Sequence, residues 1–349
     1  MRKLLVTIIT ITFLLNFNTF AQEAEDARTE EKLGYLNKIL DTLTYVEMLT
    51  QPVKRQLEEN NMELNFFAGI LQGYDNNVFL DPDRKKDGFL QTSLNTEVVY
   101  KYTEDIRLKI ENDTSDVLYY NENTANLLDF YNKAGLELDL LNDIFTVGLD
   151  YALDYVIFPC DEDGTYLGNE IKTYVKHNIS NDFYHKLGYG IMLKHYSHDK
   201  ILNGRRERTA TLRSDVRNTM DYEIGLYLLD RAIVRTSFEL YRNKANYQYY
   251  DYYDYWSFKL RPSFILMLND RLYTTGSFTY QQRRYDGRLS SDNDEHVYDD
   301  TYSFNVAALY DITKSFTFAL NLSYRENASN EPLQKYSGMT LTGGIYYSF

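Results

Sequence analysis

The sequence predicts an all-β membrane protein: a 14-stranded antiparallel transmembrane β-barrel with a short N-terminal periplasmic helix. Three observations carry this. After residue 62, apolar and polar residues alternate in runs of ten to fourteen, whereas ordinary globular strands have about 5–6 residues and a tilted membrane-crossing strand needs about 9–11. Tight polar turns alternate along the chain with longer polar segments, the arrangement of bacterial outer-membrane barrels. There are 34 Tyr and 19 Phe, and many alternating rows end in one of them, where aromatic girdles meet the membrane interfaces.

Composition removes other classes. Aromatics make up 15% of the chain, too many for a disordered protein. Beyond the first twenty residues no apolar run approaches the roughly 20 residues of a membrane-spanning helix. The formal net charge of −14 opposes nucleic acid as a partner, because a phosphate backbone is bound by clustered Lys and Arg. Cys160 is the single cysteine, which excludes an internal disulfide framework and a multi-cysteine metal site. Neither a metal nor a cofactor is expected.

Residues 1–21 form the expected signal peptide: Arg2-Lys3, an apolar stretch from Leu4 to Leu15, then Thr19-Phe20-Ala21 before Gln22. Residues 22–62 form the expected periplasmic helical segment, in which Leu33, Leu36, Ile39, Leu40, Leu43, Val46 and Leu49 make one apolar stripe before Pro52. That stripe must lie on something, and the sequence offers a plug, a dimerisation helix, a periplasmic protein partner or the mouth of the barrel.

Residues 63–349 form the expected outer-membrane barrel. Phe145, Val147, Leu149, Tyr151, Leu153 and Tyr155 alternate with small or charged residues, as do Phe316, Phe318, Leu320, Leu322 and Tyr324. Turns are expected at Thr103-Glu104-Asp105, Asn142-Asp143, Asn181-Asp182, Asp230-Arg231, Asn269-Asp270 and Thr313-Lys314, with loops near 75–88, 112–125, 158–168, 197–213, 243–253, 285–300 and 326–336. Six turns and seven loops join fourteen strands, and the even number puts both ends on the short-turn, periplasmic side. Expected outward rows include Leu64/Phe66/Ala68/Ile70, Ala134/Leu136/Leu138/Leu140, Leu187/Tyr189/Ile191/Leu193 and Tyr302/Phe304/Val306/Ala308/Tyr310. Pro262 falls on an outward row and predicts a bulge, since it removes a ladder hydrogen bond where a closed barrel has no edge.

Two segments carry a resemblance. Leu341, Ile345, Tyr347 and the terminal Phe349 resemble the signal read by the barrel assembly machinery of the outer membrane. Gly73-Tyr74-Asp75-Asn76-Asn77-Val78-Phe79, followed by Asp87-Gly88-Phe89, is similar to the opening of a broad group of outer-membrane β-barrel porins, many associated with exopolysaccharide export. The resemblance implies outer-membrane lipid and lipopolysaccharide as surroundings and an export role.

The same register that turns apolar rows outward fixes the lumen. Its expected lining is Arg107, Lys109, Glu137, Asp139, Asp150, Asp154, Lys172, Lys176, Lys186, Lys194, Arg235, Lys259, Arg261 and Arg325. Acidic residues on the fourth and fifth strands beside basic ones on the sixth and seventh predict strips of opposite sign that orient polar solutes. Tyr249, Tyr250, Tyr252, Tyr253 and Trp256, interleaved with Asp251 and Asp254, suggest a saccharide contact or an interfacial girdle. Lys200, Arg205, Arg206, Arg208 and Arg213 suggest contact with lipopolysaccharide phosphates or a solvated loop. Ser197-His198-Asp199 holds triad residue types, but adjacent side chains cannot form a relay, and His195-x-x-His198 lacks a further ligand. The expected function is a porin or export channel giving passive passage to a hydrophilic solute, plausibly saccharide, with no enzymatic step. The other reading is a non-conducting structural barrel that docks a partner.

Overall fold

The computed structural model describes residues 61–160, 164–202, 207–228, 231–246 and 251–349. The expected signal peptide and periplasmic helix lie outside the described residues. The chain forms β1 (Met62–Asp75), β2 (Asp87–Lys101), β3 (Ile106–Tyr119), β4 (Leu127–Leu140), β5 (Phe145–Ile157), β6 (Tyr166–Ser180), β7 (Phe183–Leu202), β8 (Arg208–Leu228), β9 (Ala232–Ala245), β10 (Tyr255–Met267), β11 (Leu272–Leu289), β12 (His296–Asp311), β13 (Phe316–Ser329) and β14 (Tyr336–Ser348). Each strand pairs antiparallel with its sequence neighbours, and β14 returns to β1, so the sheet is a closed barrel of fourteen strands.

Side chains at the short turns explain why the strands reverse there. The Thr103 hydroxyl accepts from the Ile106 N–H at 3.0 Å, the Asn269 side-chain oxygen accepts from the N–H groups of Arg271 and Leu272, and the Thr313 hydroxyl accepts from Ser315 and Phe316. Such side-chain acceptors replace the backbone partner that a strand loses on turning.

Pairing sets one residue type on each face. Leu136 stands opposite Leu108 and Leu149, and Ile171 stands opposite Tyr151 and Ile191. These side chains face outward and stay open, Ile171 at 57% and Leu149 at 48% exposure. An apolar surface this continuous is stable only against lipid. Polar residues mark one rim of the belt: Asn112 donates to Asn132 at 2.9 Å, and the hydroxyls of Tyr151 and Tyr189 donate to Asn169 and Asn218. From Asn218 to Leu228 on β8 the belt is about ten residues deep, within the ~9–11 of a tilted crossing strand.

The seam is closed by the carboxyl terminus. Phe66 and Phe349 exchange backbone hydrogen bonds at 3.1 Å, and their rings stand 5.2 Å apart. Leu341, Ile345 and Tyr347 take outward positions on β14, opposite Tyr74, Ile70 and Ala68. The loop that follows β1 is tied to the same seam. Asn77 is fully buried and donates to the carbonyls of Asp81 and Ser337, while the Asn76 side chain accepts from the Met339 N–H. Asp87 accepts from the backbone N–H groups of Asn121 and Glu122 and from the Asn121 amide, joining the first long loop to the second.

The inner face uses glycine where a ring must lie flat. Gly148 on β5 faces Tyr174 on β6, and Gly225 on β8 faces Tyr184 on β7. A Cβ at either glycine would fall inside the tyrosine ring. The ring thus fills the space that glycine leaves, the aromatic rescue by which sheets tolerate glycine.

The extents of three loops and the bulge at Pro262 differ from expectation. Much of the segments expected as loops at 112–125, 197–213 and 285–300 is strand, because β3 runs to Tyr119, β7 and β8 reach Leu202 and Arg208, and β11 and β12 reach Leu289 and His296. Above the lipid both faces meet water, so the apolar alternation fades while the ladder continues. Pro262 makes no bulge. It stays opposite Thr236 on β9, and the ladder to β11 passes over Arg261 and Pro262, with Leu260 opposite Tyr280 and Ser263 opposite Ser277 in one unshifted register. The barrel omits a pairing there instead of adding a residue.

Gly148→Val drives the Tyr174 ring off β5 and destabilises the barrel by about 1–3 kcal/mol, as overpacking does; urea unfolding of the vesicle-folded protein reads this, and an unchanged midpoint contradicts it. In the long loops, burial pushes the Glu331 carboxyl up, but bonds from the Ser291 N–H and hydroxyl, each 2.8 Å, outweigh it and hold it below the usual carboxylate range. A lowered folded pKa means the tie is intact above the unfolded carboxylate range and is lost as pH falls through the folded value. Protease cleavage within residues 290–295 and 330–335 should therefore rise at acid pH, and Glu331→Gln should abolish that pH dependence.

Candidate functional site

The register places all fourteen expected lining residues on the face opposite the apolar rows. Arg107 and Lys109 lie on β3, Glu137 and Asp139 on β4, Asp150 and Asp154 on β5, Lys172 and Lys176 on β6, and Lys186 and Lys194 on β7. Arg235 lies on β9, Lys259 and Arg261 on β10, and Arg325 on β13. The uncharged wall includes Ser303 and Asn305 on β12, Asn321 and Ser323 on β13, and Thr340 and Thr342 on β14.

Acidic positions on β4 and β5 stand beside basic positions on β6 and β7, and the charges are not left facing one another unpaired. They pair mostly with the next strand along the wall. Glu137 receives Arg107 at 3.1 Å and Lys109 at 2.7 Å, and Arg107 also holds Asp139 at 2.9 Å. Lys133 pairs with Glu111, Lys259 with Glu239 at 3.5 Å, and Lys172 reaches Asp221 at 2.7 Å. Side chains facing one another on adjacent strands are about 4.5–5.5 Å apart at Cβ, so a neighbour is nearer than any group across the lumen. The cations of these pairs keep between 25% and 31% of their surface, and a cavity of about 380 Å³ opens beside Arg107, Lys109, Glu137, Tyr174 and Lys176.

Tyrosines extend the network where the paired charges end. The Lys186 ammonium sits 3.6 Å from the centre of the Tyr174 ring, whose hydroxyl donates to Glu137 at 2.5 Å. Lys176 lies 4.5 Å over Tyr184, which donates to Glu223, and Lys194 lies 3.8 Å over Tyr166, which donates to Asp154. Each ring offers a cation its negative face and a carboxylate its hydroxyl proton. Sequence reasoning named the lysines and most of the acids but missed the three tyrosines, although inward parity on β6 and β7 marks them.

At the long-loop end the aromatic cluster separates. Trp256 takes an outward position opposite Arg242 and Arg284 and is half exposed. Tyr253 stacks under Arg213 at 4.0 Å, and Tyr252 meets Tyr253 edge to face at 5.0 Å. Tyr249 and Tyr250 lie outside the described residues. Arg213 is turned inward, held by Asp215 at 2.5 Å and Asp199 at 3.1 Å. Arg205 and Arg206 lie outside the described residues. Tyr255, part of the aromatic cluster evident in the sequence, shares this inner wall with Arg217, Arg283 and Tyr241, which the sequence did not single out; Arg217 lies 4.5 Å over Tyr241 and donates to the Tyr255 hydroxyl at 3.3 Å.

The residues of enzyme-like type take other partners. Asp199 faces Arg213, and His195 meets the Ser214 hydroxyl at 3.0 Å. His177 and His185 pair with one another at 2.9 Å on outward positions near the short turn. Among the described residues no three or more His, Cys, Asp or Glu converge on a metal position.

No known protein family matches the chain, and no curated protein does. Solved structures match its fold. The outer-membrane expressed OmpT of Vibrio cholerae is similar at TM-score 0.50 and 9% identity, over 83% of this chain and 98% of that one. An anion-selective porin from Comamonas acidovorans is similar at TM-score 0.47 and 9% identity, over 82% and 99%. A bacterial polysaccharide outer membrane secretin is similar at TM-score 0.43 and 11% identity, over 83% and 99%. What this chain shares with the first is its fold. The closed barrel and its apolar belt are those of a bacterial outer-membrane β-barrel.

Glu137 is the acceptor on which Arg107, Lys109 and Tyr174 converge. Glu137→Ala should destabilise the barrel by about 1.5–3 kcal/mol, the worth of a charged hydrogen bond left without its partner. Thermal loss of heat-modifiable gel migration measures it, and a wild-type transition would show that the convergence contributes nothing.

Proposed function

We propose that the protein is a passive outer-membrane channel for hydrophilic solutes. The observation that supports this most directly is how the luminal charges are satisfied. Their partners stand mostly one strand away along the wall, not across the lumen, and the cations remain partly exposed to it. A fourteen-stranded barrel is also too wide for wall side chains to fill as they fill one of eight strands. Charge pairs flat against the wall leave a hydrated path, whereas pairs reaching across it would close one.

The reading requires no chemical step. Fixed dipoles and charges replace part of a solute's hydration and let go of it again, which is what passage demands. An apolar recess of about 610 Å³ near the short turns, lined in part by Tyr227, Ile233, Ile265, Met267 and Tyr273, gives the path a less polar side at that end. Saccharides fit such a path, being polar at their hydroxyls and apolar on their ring faces.

Insertion of the purified, folded protein into a planar lipid bilayer should give stepwise, ohmic conductance in KCl. A protein that shows heat-modifiable migration yet produces no steps would refute the channel.

A further inference from the structure

One wall of the lumen carries more cations than carboxylates, and their levels follow from the pairing. Arg217 shares a lateral row with Asn243 and Tyr255, and Arg283 shares the next with Ser257 and Tyr241. Lys259 occupies the third row, Arg261 the fourth, and Arg235 the fifth, opposite Ser263. Successive inward rows on one strand are two residues apart, about 6.6 Å. Five cations therefore descend β8 to β11 one per row, over roughly 26 Å.

Only the third rung is neutralised, by Glu239. Among the described residues none of the four arginines meets a carboxylate at ion-pair distance. Arg217 and Arg283 instead turn to tyrosine rings and to neutral oxygens on Tyr255 and Gln281, and each leaves a buried Nε without an acceptor. Arg235 and Arg261 are exposed and border a recess of about 220 Å³ whose lining mixes Ser263, Asn305 and Asn321 with the apolar Ile233 and Ile265. The acids of the charged half, by contrast, are mostly met by lysines, arginines or tyrosines. A guanidinium fork facing water without a carboxylate is a seat for a planar anion, and Arg suits carboxylates because it can meet both oxygens.

We infer that this wall is a binding track for an anionic, carboxylate-bearing saccharide chain. The inference rests on the channel reading and deepens it by naming the solute class. The charge is set by the arginines. The saccharide follows from the channel reading: Tyr255, half-buried at the top of the track, presents part of its ring beside the charged donors, while Tyr241, packed edge to face against it at 5.8 Å, is buried beneath Arg217 and supports it. Rungs spaced along the path, each weak alone, hold a repeating anion by multiple contacts and pass it from one row to the next.

Trigalacturonate and the neutral maltotriose are suitable probes for single-channel recordings. Trigalacturonate should half-block the current at a concentration at least tenfold lower than maltotriose. The double variant R235Q/R261Q should raise that half-blocking concentration about tenfold, and R235K/R261K, which keeps the charge but not the fork, should restore only part of the affinity. Calorimetry on the folded, detergent-solubilised protein should give the same ranking. Current with equal block by both sugars, or block by trigalacturonate that R235Q/R261Q leaves unchanged, would overturn the track while leaving the channel standing. Block by inorganic phosphate as strong as by trigalacturonate would overturn the saccharide assignment. Absence of current from folded protein would defeat the channel itself.

Discussion

In a lipid bilayer no water stands ready to bond a free N–H or C=O, so a sheet that crosses it must pair every strand on both sides. Here that demand is met at the seam between β1 and β14, where Phe66 and Phe349 exchange backbone bonds. Once the sheet is closed, the rest of its architecture has little freedom. Each strand has one face toward lipid and one toward the lumen, and a slip of one residue would exchange them. The Asn76 and Asn77 contacts to β14 lie at the end of the same seam. The Gly-Tyr-Asp-x-Asn-Val segment is therefore first of all a piece of closure, whatever else the proteins it resembles do.

Most of the fold was legible because period two is a strong signal when only one face is apolar. The turn residues Thr103, Asn269 and Thr313 were legible too, since their side chains bond locally and their effect does not depend on distant strands. What failed to show was whatever depends on the neighbour across the ladder. Pro262 predicts a bulge when considered alone, yet the ladder to β11 simply passes over it. The extensions of β7, β8, β11 and β12 were invisible because a strand wet on both faces has no alternation to read. The inner face was legible to the level of parity: Lys186 and Glu137 could be placed there, but not that Tyr174 would join them over Gly148.

That join shows how a wide barrel keeps its inner wall rigid without filling the lumen. Large residues standing upright would close the path, while small residues alone would leave the wall poorly packed. Tyrosine laid over glycine resolves the conflict, because the ring covers backbone and the hydroxyl reaches a carboxylate on or beyond the covered strand. On the charged half this ties lysines and acids into one low network, in which Glu137, Glu223 and Asp154 accept from the hydroxyls of the rings that the lysines cover, so acids and bases there stand close together.

The arginine wall differs in the quantity that matters for a solute, the charge not already spent on the protein. Lys172, with its nearby Asp221, presents to the lumen little more than a dipole, and its attraction falls off quickly in water. Arg235 and Arg261, with no carboxylate at hand, present whole charges at successive rows. The charged half carries more inward Lys and Arg than the arginine wall, so counting cations alone would point to the wrong side. It is the placement of the acids, mostly gathered on β3 to β8 and represented at mid-height on the arginine wall by Glu239, that gives the lumen one side for structure and one side for a negatively charged guest.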